Sequence, residues 1–215
     1  MCSMKIISDT ARSINRYIPF KLYKQERKSN SLTIMLPGAG YTTQAPLLHY
    51  TTAIMLNKRS DVLLVNYTYS QEELSSISEE ELTSDVQAVI DSILHNHDYT
   101  DFTIVAKSIG TIALSHILKN PDFHSAKAIW LTPLLQRNNV YLALLHNKNV
   151  ALCIIGDQDP CYIPEKFEEI KKNARLQPSL IEGVNHSLEF TSDILHSIEV
   201  LKDVMFKIEE FYDRN

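Results

Sequence analysis

A serine, a pair of aspartates and a histidine, in that order along the chain, have the residue types needed for attack on an acyl group. Ser108 follows the apolar run FTIVA. Asp157 and Asp159 follow the run ALCII, and His186 lies in the segment EGVNHSLEF. A serine hydroxyl is a weak nucleophile near neutral pH unless a base within hydrogen-bond reach accepts its proton. An imidazole can be that base when a carboxylate fixes its tautomer and stabilises its protonated form, so residues of these types can activate a serine if the fold brings them together.

The serine lies where one apolar run ends and the next begins. The pentapeptide AKSIG, Ala106–Gly110, has a small residue two places before and two places after Ser108. A sharp turn from a strand into a helix leaves no room for larger side chains at those two positions. In an open parallel sheet such a turn lies at the carboxyl end of a strand, where ligands bind. This placement favours a chemical role for Ser108.

The pentapeptide resembles the nucleophile elbow GxSxG of the α/β-hydrolase family, with Ala106 in place of the first glycine. The family order of serine, acid and histidine is also the order found here. The resemblance implies that Ser108 is the nucleophile and that His186, in a loop before the last helix, is the base. The G-x-x-D-P form of GDQDP resembles the family's acid segment and implies Asp159 as the acid. Asp157 is the alternative acid, and it is expected instead to shape the turn.

The loop PGAGYTTQAP, Pro37–Pro46, resembles the HGxG stretch of the same family, with proline in place of histidine. The resemblance implies that this loop supplies one backbone N–H to an oxyanion, from Ala39 or alternatively from Gly40. The other N–H is then that of Ile109, the residue after the nucleophile. Tyr41 either lines the substrate site or packs as an ordinary aromatic side chain.

Other polar groups predict no further chemistry. Lys107 is expected to point away from the turn, toward solvent or a neighbouring carboxylate, and not to act as the base. His95 and His97 have the spacing of some metal ligands but no third ligand, so they are expected to form a polar helix end, and no metal site is predicted. The stretch GAGYTT lacks the third glycine of GxGxxG and the GK[ST] of a Walker motif, which argues against a nucleotide site.

Short apolar runs alternate with stretches of helical spacing, and this alternation predicts the elements that position the serine, acid and histidine. Continuous apolar runs of this length are typical of strands buried on both faces, as in a parallel sheet. The predicted strands are Leu32–Leu36, Val62–Tyr67, Phe102–Ala106, Ala126–Leu131, Ala151–Ile155 and Ser179–Ile181. The predicted helices are Pro46–Asn57, Glu79–Leu94, Thr111–Lys119, Val140–His146, Glu165–Asn173 and Ser192–Phe211. The order predicts an α/β fold, with a mainly parallel sheet and helices on both faces.

Two segments fit this alternation less simply. Ile18–Tyr23 predicts an additional strand at the edge of the sheet, where Pro19 is tolerated. The acidic stretch Ser70–Leu82 predicts a solvated loop followed by a helix start with a capping box of Ser78 and Glu81.

Composition limits the class of protein. The chain has 215 residues, 44% hydrophobic and 22% charged, which is typical of one globular domain over 1–215. A net charge of -5 with scattered Lys and Arg argues against nucleic acid as a partner. No apolar run approaches the roughly 18 residues that span a bilayer, and the N-terminus lacks the apolar core of a signal peptide, so a cytoplasmic protein without a membrane partner is expected. Cys2, Cys153 and Cys161 form no CxxC pair and are expected to be reduced thiols.

The resemblance to α/β hydrolases covers nearly the whole chain. The segment Thr132–Asn149 has room for only a loop and one short helix, which is similar to small lidless members of the dienelactone hydrolase and short-esterase type. The resemblance implies a serine hydrolase that cleaves a carboxylic ester or thioester of a small-molecule acyl substrate through an acyl-enzyme, without a cofactor. Two alternatives are left open: acyl transfer to an acceptor other than water, and a binding protein that keeps the fold.

Overall fold

The computed structural model describes residues 4–215, which contain an eight-stranded sheet; Cys2 lies outside these residues. The strands are β1 (Met4–Arg12), β2 (Tyr17–Gln25), β3 (Ser31–Leu36), β4 (Asp61–Val65), β5 (Asp101–Lys107), β6 (Lys127–Leu131), β7 (Ala151–Gly156) and β8 (Leu176–Ile181). Their order across the sheet is β1-β2-β4-β3-β5-β6-β7-β8. The pairs β1–β2 and β2–β4 are antiparallel, and all other neighbouring strands are parallel. The predicted α/β class with a mainly parallel sheet is confirmed.

Helices cover both faces of this sheet. They are α1 (Pro46–Asn57), α2 (Gln71–Ser76), α3 (Glu79–Leu94), α4 (Gly110–Ile117), α5 (Asn138–His146), α6 (Pro164–Ile170) and α7 (Ile194–Arg214). Helices α1 and α7 pack against each other on one face, and α3, α4, α5 and α6 lie side by side on the other. The right-handed crossovers of a parallel sheet require helices between successive strands, which explains the alternation in the sequence.

Each face of the sheet has its own hydrophobic core. In β3, Ile34 and Leu36 belong to the core under α3 to α6, whereas Met35 belongs to the core under α1 and α7. All three side chains are buried because successive residues of a strand point to opposite faces and both faces are covered. The continuous apolar runs in the sequence therefore correspond to strands that are buried on both faces of the sheet.

The N-terminal strands differ from the prediction. The strand expected at Ile18–Tyr23 is part of β2, but it does not lie at the sheet edge, because β1 pairs with it on the outer side. The sequence pattern does not predict β1, since only Ala11 of its nine residues is buried and no continuous apolar run results. Pro19 is accommodated opposite Thr10 of β1, and its carbonyl accepts the N–H of Asn66 at 2.9 Å.

The acidic stretch contains a helix that the sequence does not predict. Helix α2 begins with a capping box of Ser70 and Glu73, where a loop is expected. Helix α3 then begins with the predicted capping box of Ser78 and Glu81. None of the residues of α2 is buried, so it carries no apolar periodicity that would mark it in the sequence.

The connection between β6 and β7 is short. It contains α5 and, within residues 4–215, no inserted lid domain. The carboxyl ends of the parallel strands are therefore open on this side. Among the same residues, no helix combines the length and the apolar character needed to cross a bilayer.

Candidate active site

Ser108 lies in the turn between β5 and α4, with a left-handed backbone conformation (φ 52°). This conformation is costly for a residue other than glycine and persists only where the surroundings impose it. The Ser108 N–H donates to the Leu131 carbonyl at 3.1 Å, and the Ser108 carbonyl accepts the N–H of Thr111 at 2.9 Å. Gly110 lets the turn lie against the sheet, because a Cβ there would lie 2.6 Å from the Leu36 carbonyl oxygen. The glycine of AKSIG is thus required by close packing.

The His186 ring lies between Ser108 and Asp159. Its Nε2 is 2.8 Å from Ser108 Oγ, and its Nδ1 is 2.8 Å from Asp159 Oδ2. A carboxylate can only accept a hydrogen bond, so the proton of the neutral ring is assigned to Nδ1. Nε2 then has a free lone pair and accepts from the Ser108 hydroxyl. The fold thus joins three side chains that are 78 and 27 residues apart in the sequence.

Of the two candidate aspartates, Asp159 is the one whose carboxylate contacts the imidazole. Its side chain is fully buried, and its second oxygen, Oδ1, accepts the Cys161 N–H at 2.8 Å. Asp157 lies at an exposed turn, where its Oδ1 accepts the N–H of Gly183 at 2.7 Å. Asp157 therefore ties the turn after β7 to the loop that follows β8.

The loop that carries His186 is held in shape by its own residues. Asn185 Oδ1 accepts the N–H of Ser187 at 2.8 Å, and the Asn185 N–H donates to the Glu189 carbonyl at 3.0 Å. Leu188, buried in this loop, has a left-handed backbone (φ 60°). Asn185 is not among the residues predicted from the sequence, although an asparagine beside a loop histidine is a recognisable turn signal. These contacts fix the direction in which the His186 ring points.

The loop after β3 lies against the serine turn. A Cβ on Gly38 would lie 3.3 Å from the Cβ of Ser108, so the loop approaches the serine closely. The Gly38 N–H donates to the Tyr41 carbonyl at 3.0 Å, and Gly40 has a positive φ of 70°. Within residues 4–215, neither the Ala39 N–H nor the Ile109 N–H has a backbone or side-chain acceptor. Two backbone donors are thus left free close to Ser108.

The Tyr41 hydroxyl oxygen is hydrogen-bonded to the start of α1. It accepts the Leu47 N–H at 3.0 Å, and burial raises the pKa of Tyr41 to about 12. The ring lines a cavity of about 300 Å³ together with Leu47, Phe190 and Ile198. Tyr41 therefore fixes the loop after β3 to α1 and at the same time forms one wall of a cavity.

The position of Lys107 corrects the prediction from the sequence. Its side chain is buried, with 1% relative exposure, and not directed to solvent. Nζ donates to Thr132 Oγ1 at 3.0 Å and to the His186 main-chain carbonyl at 2.9 Å, and it lies 4.5 Å from the centre of the Tyr41 ring. Within the described part of the chain, Nζ forms no ion pair with a carboxylate. Lys107 follows Val105 by two residues in β5, so strand periodicity directs it to the face covered by α1 and α7.

Burial lowers the pKa of Lys107 to about 8, because the ammonium group has lost much of its hydration. The negative charges of Asp159 and Glu189 act in the opposite direction and partly offset this effect. The ammonium is therefore the prevailing form of Lys107 at neutral pH, directly beneath the loop that carries His186.

Asp159, Cys161 and His186 have donor atoms within 4.8 Å of one another, the distance at which a metal ion could be held. Their chemistry does not fit a metal. The Asp159 oxygen and the His186 nitrogen are already bonded to each other. Burial also raises the pKa of the Cys161 thiol, which favours the protonated form over the thiolate that metals bind. This group is therefore better described as part of the serine, histidine and aspartate network.

The predicted helix-end histidines lie at the C-terminus of α3. His97 Nδ1 is 2.9 Å from the Ile93 carbonyl oxygen, and the His97 ring stacks on Tyr99 with centroids 5.6 Å apart. His95 is exposed at the cap position. The His97 ring thus contacts neighbouring residues and the His95 ring faces solvent, and neither ring contacts Ser108.

Comparisons with known proteins connect this geometry to solved structures. No protein-family model and no curated protein matches the sequence. A putative alpha/beta hydrolase from Agrobacterium tumefaciens matches the structure with a TM-score of 0.77 at 15% identity, over 97% of this chain and 95% of that protein. Dienelactone hydrolase from Anabaena variabilis matches with a TM-score of 0.74 at 16% identity, over 98% of both chains.

A third match is a serine hydrolase from Xanthomonas campestris described as lacking a lid, with a TM-score of 0.72 at 12% identity, over 98% of this chain and 94% of that one. The TM-scores of these three matches show a shared fold, and at 12 to 16% identity they show the fold alone. The predicted α/β-hydrolase fold without a large lid is confirmed.

Proposed function

We propose that this chain, which has the lidless α/β-hydrolase fold, is a serine hydrolase that cleaves a carboxylic ester or thioester. The observation that carries the proposal is the continuous hydrogen-bond chain from Ser108 Oγ through His186 to the buried Asp159, with both contacts at 2.8 Å. Each group in this chain has the neighbour that its chemistry needs. The fold relatives include a dienelactone hydrolase and an esterase, which supports the same class of reaction.

Acylation begins when Ser108 Oγ attacks the carbonyl carbon of the substrate. His186 Nε2 accepts the hydroxyl proton, and the Asp159 carboxylate stabilises the imidazolium that results. The tetrahedral intermediate then expels an alcohol or thiol, which takes the proton from Nε2. The products of this half-reaction are the free alcohol or thiol and an ester of Ser108.

Deacylation repeats these steps with water. His186 Nε2 takes a proton from a water molecule, whose oxygen attacks the acyl carbon of the Ser108 ester. Collapse of the second intermediate releases the carboxylic acid, and the proton returns from Nε2 to Ser108 Oγ. The cycle needs no electron transfer and no cofactor.

The negative charge that develops on the carbonyl oxygen is stabilised by the N–H groups of Ala39 and Ile109. Their lack of an internal acceptor in residues 4–215 supports this role, because an unpaired donor is available to the substrate. Ile109 precedes α4, so its N–H also benefits from the positive end of the helix dipole. Gly40, exposed and without a side chain, and Tyr41, on the wall of the adjacent cavity, border the place where the acyl substrate binds.

A broad fluorophosphonate probe tests the proposal whatever the natural substrate is, because it reacts with the activated serine itself. The wild-type chain is expected to be labelled at Ser108, with labelling abolished in Ser108→Ala and His186→Ala. His97→Ala is the matched control, since it removes an imidazole that does not contact Ser108 and should leave the labelling intact. An unlabelled but folded wild-type protein, or labelling that survives in His186→Ala, contradicts the proposal and favours a binding protein with this fold.

A further inference from the structure

The side chain of Lys107 lies directly below the loop that carries His186. It extends from the end of β5 between the end of β6 and that loop, and its ammonium contacts Thr132 Oγ1 and the His186 carbonyl oxygen. The third contact is the face of the Tyr41 ring, at 4.5 Å. One cation thus connects the Ser108 turn, the end of β6, the loop after β3 and the loop that carries His186.

This arrangement carries a cost that packing alone does not require. An ammonium group removed from water loses hydration, and only a close negative charge or several good acceptors can offset that loss. Lys107 has neutral acceptors and an aromatic face, and within residues 4–215 it has no carboxylate in ion-pair contact. An apolar side chain of the same length would fill the space without this cost.

Backbone strain is concentrated at the same place. Thr132 has a positive φ of 45°, which is an outlier for a β-branched residue, and Ser108, next to Lys107, has a φ of 52°. Such conformations persist when the surroundings fix them and cluster at functional sites. The Lys107 ammonium bonds the strained Thr132 directly, so it helps to hold the strand end that supports the serine turn.

We infer that Lys107 is a positioning residue for the proposed hydrolase, because its ammonium holds the main chain of His186 at the place where Nε2 meets Ser108 Oγ. The inference rests on the proposed function for its effect on rate and goes beyond it by assigning a role to a residue outside the serine, histidine and aspartate set. One N–H···O contact binds the loop at the His186 carbonyl, and the other, to Thr132, holds the ammonium at the end of β6. The lysine does not contact the reacting atoms.

The test compares Lys107→Met with Lys127→Met. Methionine keeps most of the stem volume and removes the donors and the charge. Lys127 is a matched control because its side chain is also largely buried, with 14% exposure, and also faces an aromatic ring, that of Tyr212 at 5.2 Å. It lies at the amino end of β6, whereas Lys107 lies at the carboxyl end of β5. With p-nitrophenyl acetate as the substrate, Lys107→Met is expected to lower kcat by about 10- to 100-fold, because displacement of a catalytic group by about 1 Å has effects of this size.

The other readouts separate a positioning role from a merely structural one. KM is expected to stay within about twofold in Lys107→Met, since the lysine does not contact the substrate. Lys107→Arg, which keeps a cation and donors, is expected to recover part of kcat. Lys127→Met is expected to keep wild-type values of both constants. A folded Lys107→Met protein with wild-type kcat overturns the inference.

Two further measurements test the inference if Lys107→Met does not fold or if the chain shows no hydrolysis. If Lys107→Met does not fold, Thr132→Val removes one acceptor and leaves Lys107 in place; it is expected to lower kcat severalfold, and an unchanged kcat overturns the inference. The far-downfield NMR signal of the His186 Nδ1 proton, bonded to Asp159, needs no substrate. An unshifted Nδ1 signal in Lys107→Met means that the ring has not moved and overturns the positioning role. A shift or loss of the signal in Lys107→Met, but not in Lys127→Met, supports the role even if the wild-type chain shows no hydrolysis and the proposed function fails.

Discussion

A buried aspartate lies at each end of the sheet, and the two differ in where their hydrogen bonds lead. At the amino end of the parallel strands, Asp61 accepts from the Gln25 N–H at 2.7 Å and from the Tyr99 hydroxyl at 2.6 Å. At the carboxyl end, Asp159 accepts from the Cys161 N–H and from His186. Both side chains are buried and both have partners on each oxygen. Burial and satisfied hydrogen bonds therefore do not distinguish a structural carboxylate from one in a candidate active site.

The difference lies in the partner of the carboxylate. Tyr99 is itself buried, with its pKa raised by burial, so the Asp61 network ends inside the protein. His186 is about one-third exposed and passes the network on to the Ser108 hydroxyl. A cavity of about 580 Å³ adjoins Asp61 and Tyr99, larger than the one beside Tyr41. Its lining includes His97, whose ring stacks on Tyr99, but among residues 4–215 no hydroxyl in this lining is hydrogen-bonded to that imidazole. What marks the candidate site is a polar chain that leads from a buried charge to an accessible nucleophile.

The strongest test of this comparison exchanges each aspartate for asparagine. Asp159→Asn is expected to lower kcat for p-nitrophenyl acetate on the order of 10³- to 10⁴-fold, because the amide no longer selects the productive tautomer of His186 or stabilises its imidazolium form. Asp61→Asn is expected to leave kcat within about twofold. Equal losses of activity in the two variants would contradict this distinction between the two networks.

The second test concerns stability. Asp61→Asn is expected to lower the free energy of unfolding by about 2 kcal/mol, because the amide NH₂ faces one of the two donors that the carboxylate now satisfies. Urea unfolding at neutral pH measures this change. The effect would be absent if the Gln25 and Tyr99 contacts contributed nothing to the fold, and Tyr99→Phe provides the complementary variant because it removes only one of them.

The third test uses the buried cation at the carboxyl end. The folded chain loses the Lys107 proton near pH 8 and the unfolded chain near 10.5, so between these values the unfolded state binds more protons. The contribution of Lys107 to the free energy of unfolding therefore rises with pH over this interval. Relative to Lys107→Met, the wild-type chain is expected to gain on the order of 1 to 2 kcal/mol between pH 7.5 and pH 9.5.

This gain is measured as a difference between two urea titrations. Both chains retain the other groups that face the lysine, namely Asp159, Glu189, Cys161 and Tyr41, so their own titrations largely cancel. A constant difference between the two chains over this interval would mean that Lys107 keeps its ordinary pKa in the folded state.

The smallest expected effect is that of Asp157→Asn. The Asp157 carboxylate accepts one N–H, that of Gly183, at an exposed turn, and an asparagine carbonyl can accept the same bond. We expect kcat to change by less than about threefold. A loss as large as that in Asp159→Asn would mean that the wrong aspartate has been assigned as the acid.

Local patterns in the sequence predict much of the fold. The alternation of apolar runs and helical spacing predicts β3 to β7 and their helices within a few residues, because those strands are buried on both faces. Only the second half of β8, Ser179–Ile181, is predicted, since most of that strand is partly exposed. It does not predict β1 or α2, whose side chains are mostly exposed. Exposed elements are held by backbone pairing and capping, which leave little hydrophobic pattern in the sequence.

The candidate site likewise has some features that the sequence predicts and others that it does not. Small residues around Ser108 and glycines in the loop after β3 mark two turns that local sterics require, and these turns could be predicted. From the sequence, only the resemblance of GDQDP to a family motif favours Asp159 over Asp157. In the structure, the hydrogen bond from His186 to Asp159 distinguishes the two aspartates. The direction of the Lys107 side chain could not be predicted from the continuous apolar run alone. Its burial depends on α1, α7 and the loop that carries His186, which all pack over the same face of the sheet.

The short connection between β6 and β7 has a kinetic consequence for a hydrolase. Because it holds only α5 and no inserted domain, no hinge has to swing aside before an ester meets Ser108. The rate with a short-chain ester should then follow simple saturation and should show no jump when the ester aggregates into micelles or droplets. The fold suits acyl compounds dispersed as single molecules in water.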